Sequence, residues 1–124
     1  MKNKFNLTGV ILCAGRGTRI KQLPFYRPKT LLEILGKPII YHQLKYLKNA
    51  GIKKILIVIG KSGNKIKNEV KKISNLKLDI TFVKDLNPRG IAHSLYKTKP
   101  FIKGPILVFL GDIFFREAKL KKMI

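Results

Sequence analysis

The sequence is short of acid: six Asp and Glu residues stand against 27 Lys and Arg, a formal net charge of +21 over 124 residues. Each carboxylate is therefore informative by its scarcity. One cysteine, Cys13, excludes an internal disulfide and fits a reduced, cytoplasmic setting. No apolar run approaches the length of a membrane span. The basic amino terminus is followed by an apolar run too short for the core of a signal peptide, and Arg16 interrupts it. Low-complexity linkers and internal repeats are also missing. So is the clustered stripe of basic and aromatic residues that a nucleic-acid binder uses. The lysines are scattered along nearly every segment, as on the solvated faces of several helices, and no nucleic-acid partner is expected. That surplus charge still suits an anionic small molecule.

With 45% hydrophobic residues, the chain is long enough for one folded domain. Its organising stretch is 9–32, GVILCAGRGTRIKQLPFYRPKTLL. Val10, Ile11, Leu12 and Cys13 form the apolar run of a strand covered on both faces. The run stops at Ala14. Gly15 and Gly17 then bracket Arg16, where the lack of a Cβ lets backbone N–H groups turn toward an anion. Arg19 and Lys29 add fixed positive charge, and Pro24 and Pro28 stiffen the segment between. Such a loop expects phosphate.

The remaining elements follow in turn. Strands are expected at 7–13, 54–60, 79–83 and 105–110, with a brief extended piece at 31–34. Pro38 opens a helix with apolar Ile40, Leu44 and Leu47, which Gly51 ends in a left-handed conformation. Asn64 caps a second helix bearing Ile66, Val70 and Ile73 on its apolar face. A third helix runs from 91 to about 101 with Leu95 on its buried side, and a fourth starts near 117. Strands alternating with helices predict an α/β fold, Rossmann-like, with a parallel sheet and helices on both faces. In such sheets ligands bind beyond the carboxyl ends of the strands. The loop 15–19, the turn 85–90 and Gly111-Asp112 all fall there, so they should share one rim.

Two phosphate fingerprints fail on inspection. The dinucleotide pattern lacks its third glycine, because Ile20 stands in that place. A Walker loop at Gly60-Lys61-Ser62 lacks its leading glycine, which would be Ile55. The loop GRGTR followed by PKTLL instead resembles the signature of the sugar-1-phosphate nucleotidyltransferases. Gly90-Ile91-Ala92-His93 resembles that family's second nucleotide-contacting turn, and LVFLGD its metal-bearing strand end, so the resemblance runs along essentially the whole chain and is nearest to glucose-1-phosphate thymidylyltransferase-like members.

The resemblance implies transfer of a nucleotidyl group from a nucleoside triphosphate, dTTP or UTP, to a sugar 1-phosphate, giving an NDP-sugar and pyrophosphate. It implies Arg19 and Lys29 as the catalytic cations. Leu12, Ala14, Gly15, Gly17, Thr18, Arg19, Lys29, Asp85 and Gly90 would bind the nucleotide, and Asp112 the Mg²⁺ cofactor. The chemistry suits these residue types. The attacking phosphate is largely ionised near neutral pH, with a second pKa of about 6, so positioning and charge neutralisation suffice. Mg²⁺ is usually held by one or two carboxylates together with substrate phosphates, which a lone strand-end Asp can satisfy. His42 and His93 lack companions at metal spacing and are read as structural, with His93 near the nucleotide turn. Cys13 reads as a small hydrophobe, not a nucleophile.

The chain departs from the family pattern at two places. Gln22 replaces a usual proline. Asp85 stands where uridine- and thymidine-handling members usually place Gln. Gln can donate and accept; an ionised Asp accepts only, which suits a base presenting N–H donors, cytosine or guanine, better than thymine. The other reading of Asp85 is an exposed turn residue, with the base read by backbone. Family members also continue into a part that holds the sugar, so 1–124 is expected to be the nucleotide-binding part of an incomplete domain. A nucleotide-binding but inactive or regulatory fragment is the alternative. No membrane partner is expected, and a homo-oligomer of the full-length form stays open.

Overall fold

A computed structural model describes residues 6–14, 28–61 and 63–113. Strand β1 (Thr8–Cys13) leads into a 3₁₀ turn at Lys29–Leu31, then a two-stranded antiparallel hairpin of β2 (Glu33–Ile34) and β3 (Lys37–Pro38). Helix α1 (Ile39–Asn49), strand β4 (Lys54–Ile59), helix α2 (Gly63–Lys71), strand β5 (Asp79–Lys84), helix α3 (Ile91–Lys97) and strand β6 (Ile106–Leu110) follow. The main sheet has the order β5-β4-β1-β6, with every pairing parallel. The chain builds outward from β1 through β4 to β5, then returns to the other side of β1. Between β1 and β6 lies the topological switch point, where open α/β sheets bind ligands.

Strand alternation sorts the core into two layers. Ile11, Ile55, Ile57, Ile59 and Phe109 point to one face, where Ile40, Leu44 and Leu47 of α1 and Ile66 and Val70 of α2 cover them. Val10, Leu56, Val58 and Val83 point to the other, with Leu95 of α3 and Ile102 packed at its margin. The second layer is thinner, since among α3 residues only Ser94 is fully buried. Apolar side chains on both faces explain why β1 and β4 read as unbroken hydrophobic runs.

Most sequence expectations hold, and the departures have local causes. Gly51 ends α1 with φ +84°. Helix α2 begins one residue before Asn64, because the Gly63 N–H already donates to Gly60 O at 3.1 Å; Asn64 therefore lies in the first turn and is not the cap. The third helix stops at Lys97 and continues as a 3₁₀ turn at Lys99–Phe101. Pro100 disfavours the α conformation at the preceding residue, and Thr98 Oγ1 donates to Leu95 O at 2.6 Å to close the helix end. The extended piece expected at 31–34 shortens to β2, preceded by the 3₁₀ turn. The expected helix near 117–124 lies outside the described residues.

Candidate functional site

Gly15, Gly17, Thr18 and Arg19 lie outside the described residues; the elements on either side of them are defined. Ala14, just past β1, is buried. A Cβ built on Gly60, just past β4, would lie 3.6 Å from Ala14 Cα and 3.7 Å from Asp85 O, so the ends of β1, β4 and β5 converge. Asp85 N–H donates to Ile59 O at 2.8 Å, carrying the β4–β5 register one step past the strand. Leu12 pairs between Val58 and Leu110 and is half-buried.

On the other side of β1, Gly111 N–H donates to Leu12 O at 2.9 Å. A Cβ at Gly111 would come within 2.7 Å of Cys13 Sγ and 2.9 Å of Leu12 O, so only glycine allows this approach. Asp112 follows, exposed, in the turn between β6 and Ile113. That turn is tied down from α1. Gln43 Nε2 donates to Leu110 O at 2.8 Å and to Ile113 O at 2.9 Å, although 67 and 70 residues separate them in the chain. Gln43 was not singled out in the sequence. The signal available was a polar residue inside the apolar stripe of α1, between Ile40 and Leu47.

Lys29 opens the 3₁₀ turn and is exposed, while Pro28, Thr30 and Leu31 are buried beneath it. The turn packs against α1 and α2, which anchors the backbone of the exposed lysine. Cys13 sits in the core layer beside this turn. Burial pushes its thiol up to about 12; the Thr30 hydroxyl opposes the shift and the Asp112 charge adds to it. This is an inert thiol, as the sequence suggested. Because the folded pKa lies above the unfolded value, near 9.0, the neutral thiol supports the fold fully below pH 9 and loses that support as pH rises toward 12. Urea midpoints measured from pH 8 to 11 should fall less steeply in Cys13→Ala than in the parent chain. Parallel curves would show that the thiol takes no part.

Asp85 corrects the reading of an exposed turn residue: it is 1% exposed. Its Oδ2 accepts from Ser94 Oγ at 2.8 Å and lies 3.1 Å from His93 Nδ1, which donates to it. Its Oδ1 is buried and has no hydrogen-bond partner among the described residues. Gly90 adopts φ +108° and starts α3, the helix that carries both of those donors. A side chain at Gly90 would meet no steric block, so the requirement for glycine there is conformational. The residues around Asp85 enclose a cleft of about 430 Å³ whose lining includes Lys84, Asn87, Arg89, His93 and Lys97. His42, by contrast, is buried against the hairpin with Nε2 2.6 Å from Ile34 O, a structural role.

Among the described residues no group of three or more His, Cys, Asp or Glu gathers as for a metal ion. Asp112 stands past β6 as a single exposed carboxylate. No helix of the described residues is long and apolar enough to cross a membrane.

A parallel α/β sheet whose order reverses between β1 and β6, with Asp112 just past β6, defines the class of α/β proteins that bind ligands at such a switch point. Within that class the chain belongs to the nucleotidyl transferase family, whose sequence model matches residues 8–124, and its relatives are sugar-1-phosphate nucleotidyltransferases. It is 35% identical over 112 residues to the bifunctional protein GlmU of Methanococcus maripaludis, covering 90% of this chain and 26% of that protein. It is 27% identical over 109 residues to the glucose-1-phosphate thymidylyltransferase of Streptomyces griseus, covering 87% of this chain and 31% of that protein. Among solved structures, a Bacillus anthracis protein assigned as a glucose-1-phosphate thymidylyltransferase superposes with a TM-score of 0.78 at 26% identity, over 94% of this chain and 50% of that one. The chain thus spans a quarter to a third of these curated relatives and half of that structure.

Proposed function

We propose that this chain is the nucleotide-binding part of an enzyme that joins a sugar 1-phosphate to a nucleoside triphosphate, yielding an NDP-sugar and pyrophosphate. The observation that carries the reading is the closure of β6 on β1 through Gly111 and Leu12, which sets Asp112 beside the end of the strand that leads into the basic loop. The attacking nucleophile is a phosphate oxygen of the sugar phosphate. It forms a bond to the α-phosphorus while the bond from that phosphorus to the bridging oxygen breaks and pyrophosphate departs. No protein nucleophile is needed, so the residues act by position and charge.

In this proposal the backbone N–H groups of 15–18 cradle the triphosphate and Arg19 offers its planar fork to the leaving phosphates. Lys29, an exposed point charge on an anchored turn, spans the incoming and α-phosphates. Asp112 would hold Mg²⁺, which when bound supplies charge neutralisation on the triphosphate. Ala14, Leu12 and Gly90 frame the nucleoside, and the cytoplasm is the proposed setting. The pyrimidine donors implied by the resemblance, dTTP and UTP, are poorly matched by the acceptor-only carboxylate of Asp85.

The test is pyrophosphate release from a nucleoside triphosphate and glucose 1-phosphate by the full-length protein, together with calorimetric titration of triphosphates with and without Mg²⁺. Mg²⁺-dependent release that is lost in Lys29→Ala and Asp112→Asn is the expected result. Saturable nucleotide binding with no release from any sugar phosphate tried would favour the inactive or regulatory alternative. Absence of triphosphate binding by a folded protein would overturn both readings.

A further inference from the structure

We propose that the cleft beside α3 is a binding site for a small phosphate ester, separate from the rim assigned above to the triphosphate. The inference goes beyond the nucleotide reading and does not depend on it. The described residues lining this cleft come from one margin of the sheet: the end of β5, the turn 85–90 and α3. Leu12, Ala14, Lys29 and Asp112 are not among them. In the sheet order β4 stands between β5 and β1, so the cleft lies at the outer strand, away from the switch point between β1 and β6.

Its charge is one-sided. Lys84, Arg89 and Lys97 all line it and are exposed, and among the described residues none of the three is paired with an acid. The one acid in the lining, Asp85, is 1% exposed, and its Oδ2 already accepts from Ser94 and His93. A chain with 27 basic and six acidic residues has few acids to spare for such a cluster. Like charges gathered around a concave surface repel one another, and an anion entering the cleft relieves that repulsion.

Size and donor geometry narrow the anion. A volume of about 430 Å³ falls in the range of small-molecule pockets, about 300–1,000 Å³, and is more than a lone inorganic ion fills. Arg89 brings a planar fork that matches two oxygens of a phosphate, and the two lysines bring compact point charges on flexible stems. His93 and Lys97 stand four residues apart on α3 and so share a face of that helix, with the His93 ring held by its bond to Asp85. Leu86, half-exposed, adds apolar surface for the uncharged part of a ligand. Cations for an anionic head, with room and apolar contact beyond it, suit an organic phosphate ester better than a bare ion.

Amide NMR titration of the ¹⁵N-labelled protein with glucose 6-phosphate, inorganic phosphate and sulfate, at constant ionic strength, tests the site. Saturable shifts concentrated on 84–97 are expected, with glucose 6-phosphate binding more tightly than either inorganic ion. Its Kd should rise about tenfold in Arg89→Ala and again in Lys97→Ala, the ratio for loss of one charge-assisted hydrogen bond. Arg89→Lys should cost less. Lys71→Ala, an exposed charge on α2, and Lys29→Ala should leave the Kd unchanged, so that the outcome is read apart from the triphosphate rim. Shifts spread over the lysine-bearing surfaces of α1 and α2, no shifts at 84–97, or an affinity that Arg89→Ala and Lys97→Ala leave intact would overturn the site. Glucose 6-phosphate binding no tighter than sulfate would overturn the assignment to a phosphate ester. Shifts confined to Leu12, Ala14 and Lys29 would also overturn the separate site, while favouring the nucleotide reading.

Discussion

Replacing Gly111 by alanine should destabilise the fold by about 2–3 kcal/mol, the upper part of the range for forcing extra volume into a packed site. The new Cβ would stand 2.7 Å from Cys13 Sγ and 2.9 Å from Leu12 O, distances at which something must move. Neither neighbour is the free end of a flexible chain: one is a backbone carbonyl of β1 and the other the short side chain next to it. β6 has to draw back, and with it goes the hydrogen bond from Gly111 N–H to Leu12 O. Asp112, the adjacent residue, moves as well. Urea unfolding of Gly111→Ala reads the stability, and Mg²⁺-dependence of triphosphate binding reads the displacement of the carboxylate. Adding Cys13→Ala removes the sulfur and leaves the carbonyl, so the double variant should recover part of the loss. A single variant with an unchanged midpoint would show that the strand ends are looser than this packing requires.

Gln43→Glu is the second large effect, about 3–4 kcal/mol at pH 8, although it changes few atoms. Gln43 is 1% exposed, and its amide nitrogen satisfies two carbonyls of the turn that presents Asp112. A carboxylate there loses both donors, turns oxygen toward those two carbonyls and buries a charge with no partner. Burial would raise the folded pKa of the new Glu well above its ordinary value of about 4.3. A carboxyl group whose folded pKa is raised is best tolerated below its unfolded pKa, and stability falls as pH rises from there through the folded pKa. The variant should therefore unfold at lower urea at pH 8 than at pH 5, by a wider margin than the parent. Gln43→Leu serves as the uncharged comparison: it also loses both bonds, without the pH dependence, and removes Oε1, which has no partner among the described residues. Equal pH profiles for Gln43→Glu and the parent would refute the clamp.

Much of the scaffold was legible because it depends on short-range regularities. The runs Val10 to Cys13 and Ile55 to Ile59 could be read as covered strands, since a strand apolar on both faces has few other places to go. Helix α1 was legible from Ile40, Leu44 and Leu47 with Gly51 behind them, and all three side chains are buried as that spacing demands. Element ends were less secure, because they turn on single hydrogen bonds. The Gly63 N–H bond to Gly60 O moved the start of α2, and Pro100 with the Thr98 hydroxyl moved the end of α3.

The site divides along the same line. By itself the sequence determined the chemical inventory: a glycine-punctuated basic segment after β1, Lys29 behind two prolines, one acid after β5 and another after β6, in the order a nucleotidyl transferase uses. Each of these groups is recognised from the few residues on either side of it, so local spacing carries the reading. Only the tertiary structure decided which of these groups is free and which is occupied. Asp85 could have been an exposed turn residue; in the fold it is buried, with one oxygen given to Ser94 and His93 of α3 and the other without a partner among the described residues. Gln43 and Gly111 acquired their roles from strands and a helix far apart in sequence, joined only when β6 returns to the far side of β1. Burial and hydrogen-bond satisfaction are properties of that closure, and no periodicity along the chain encodes them.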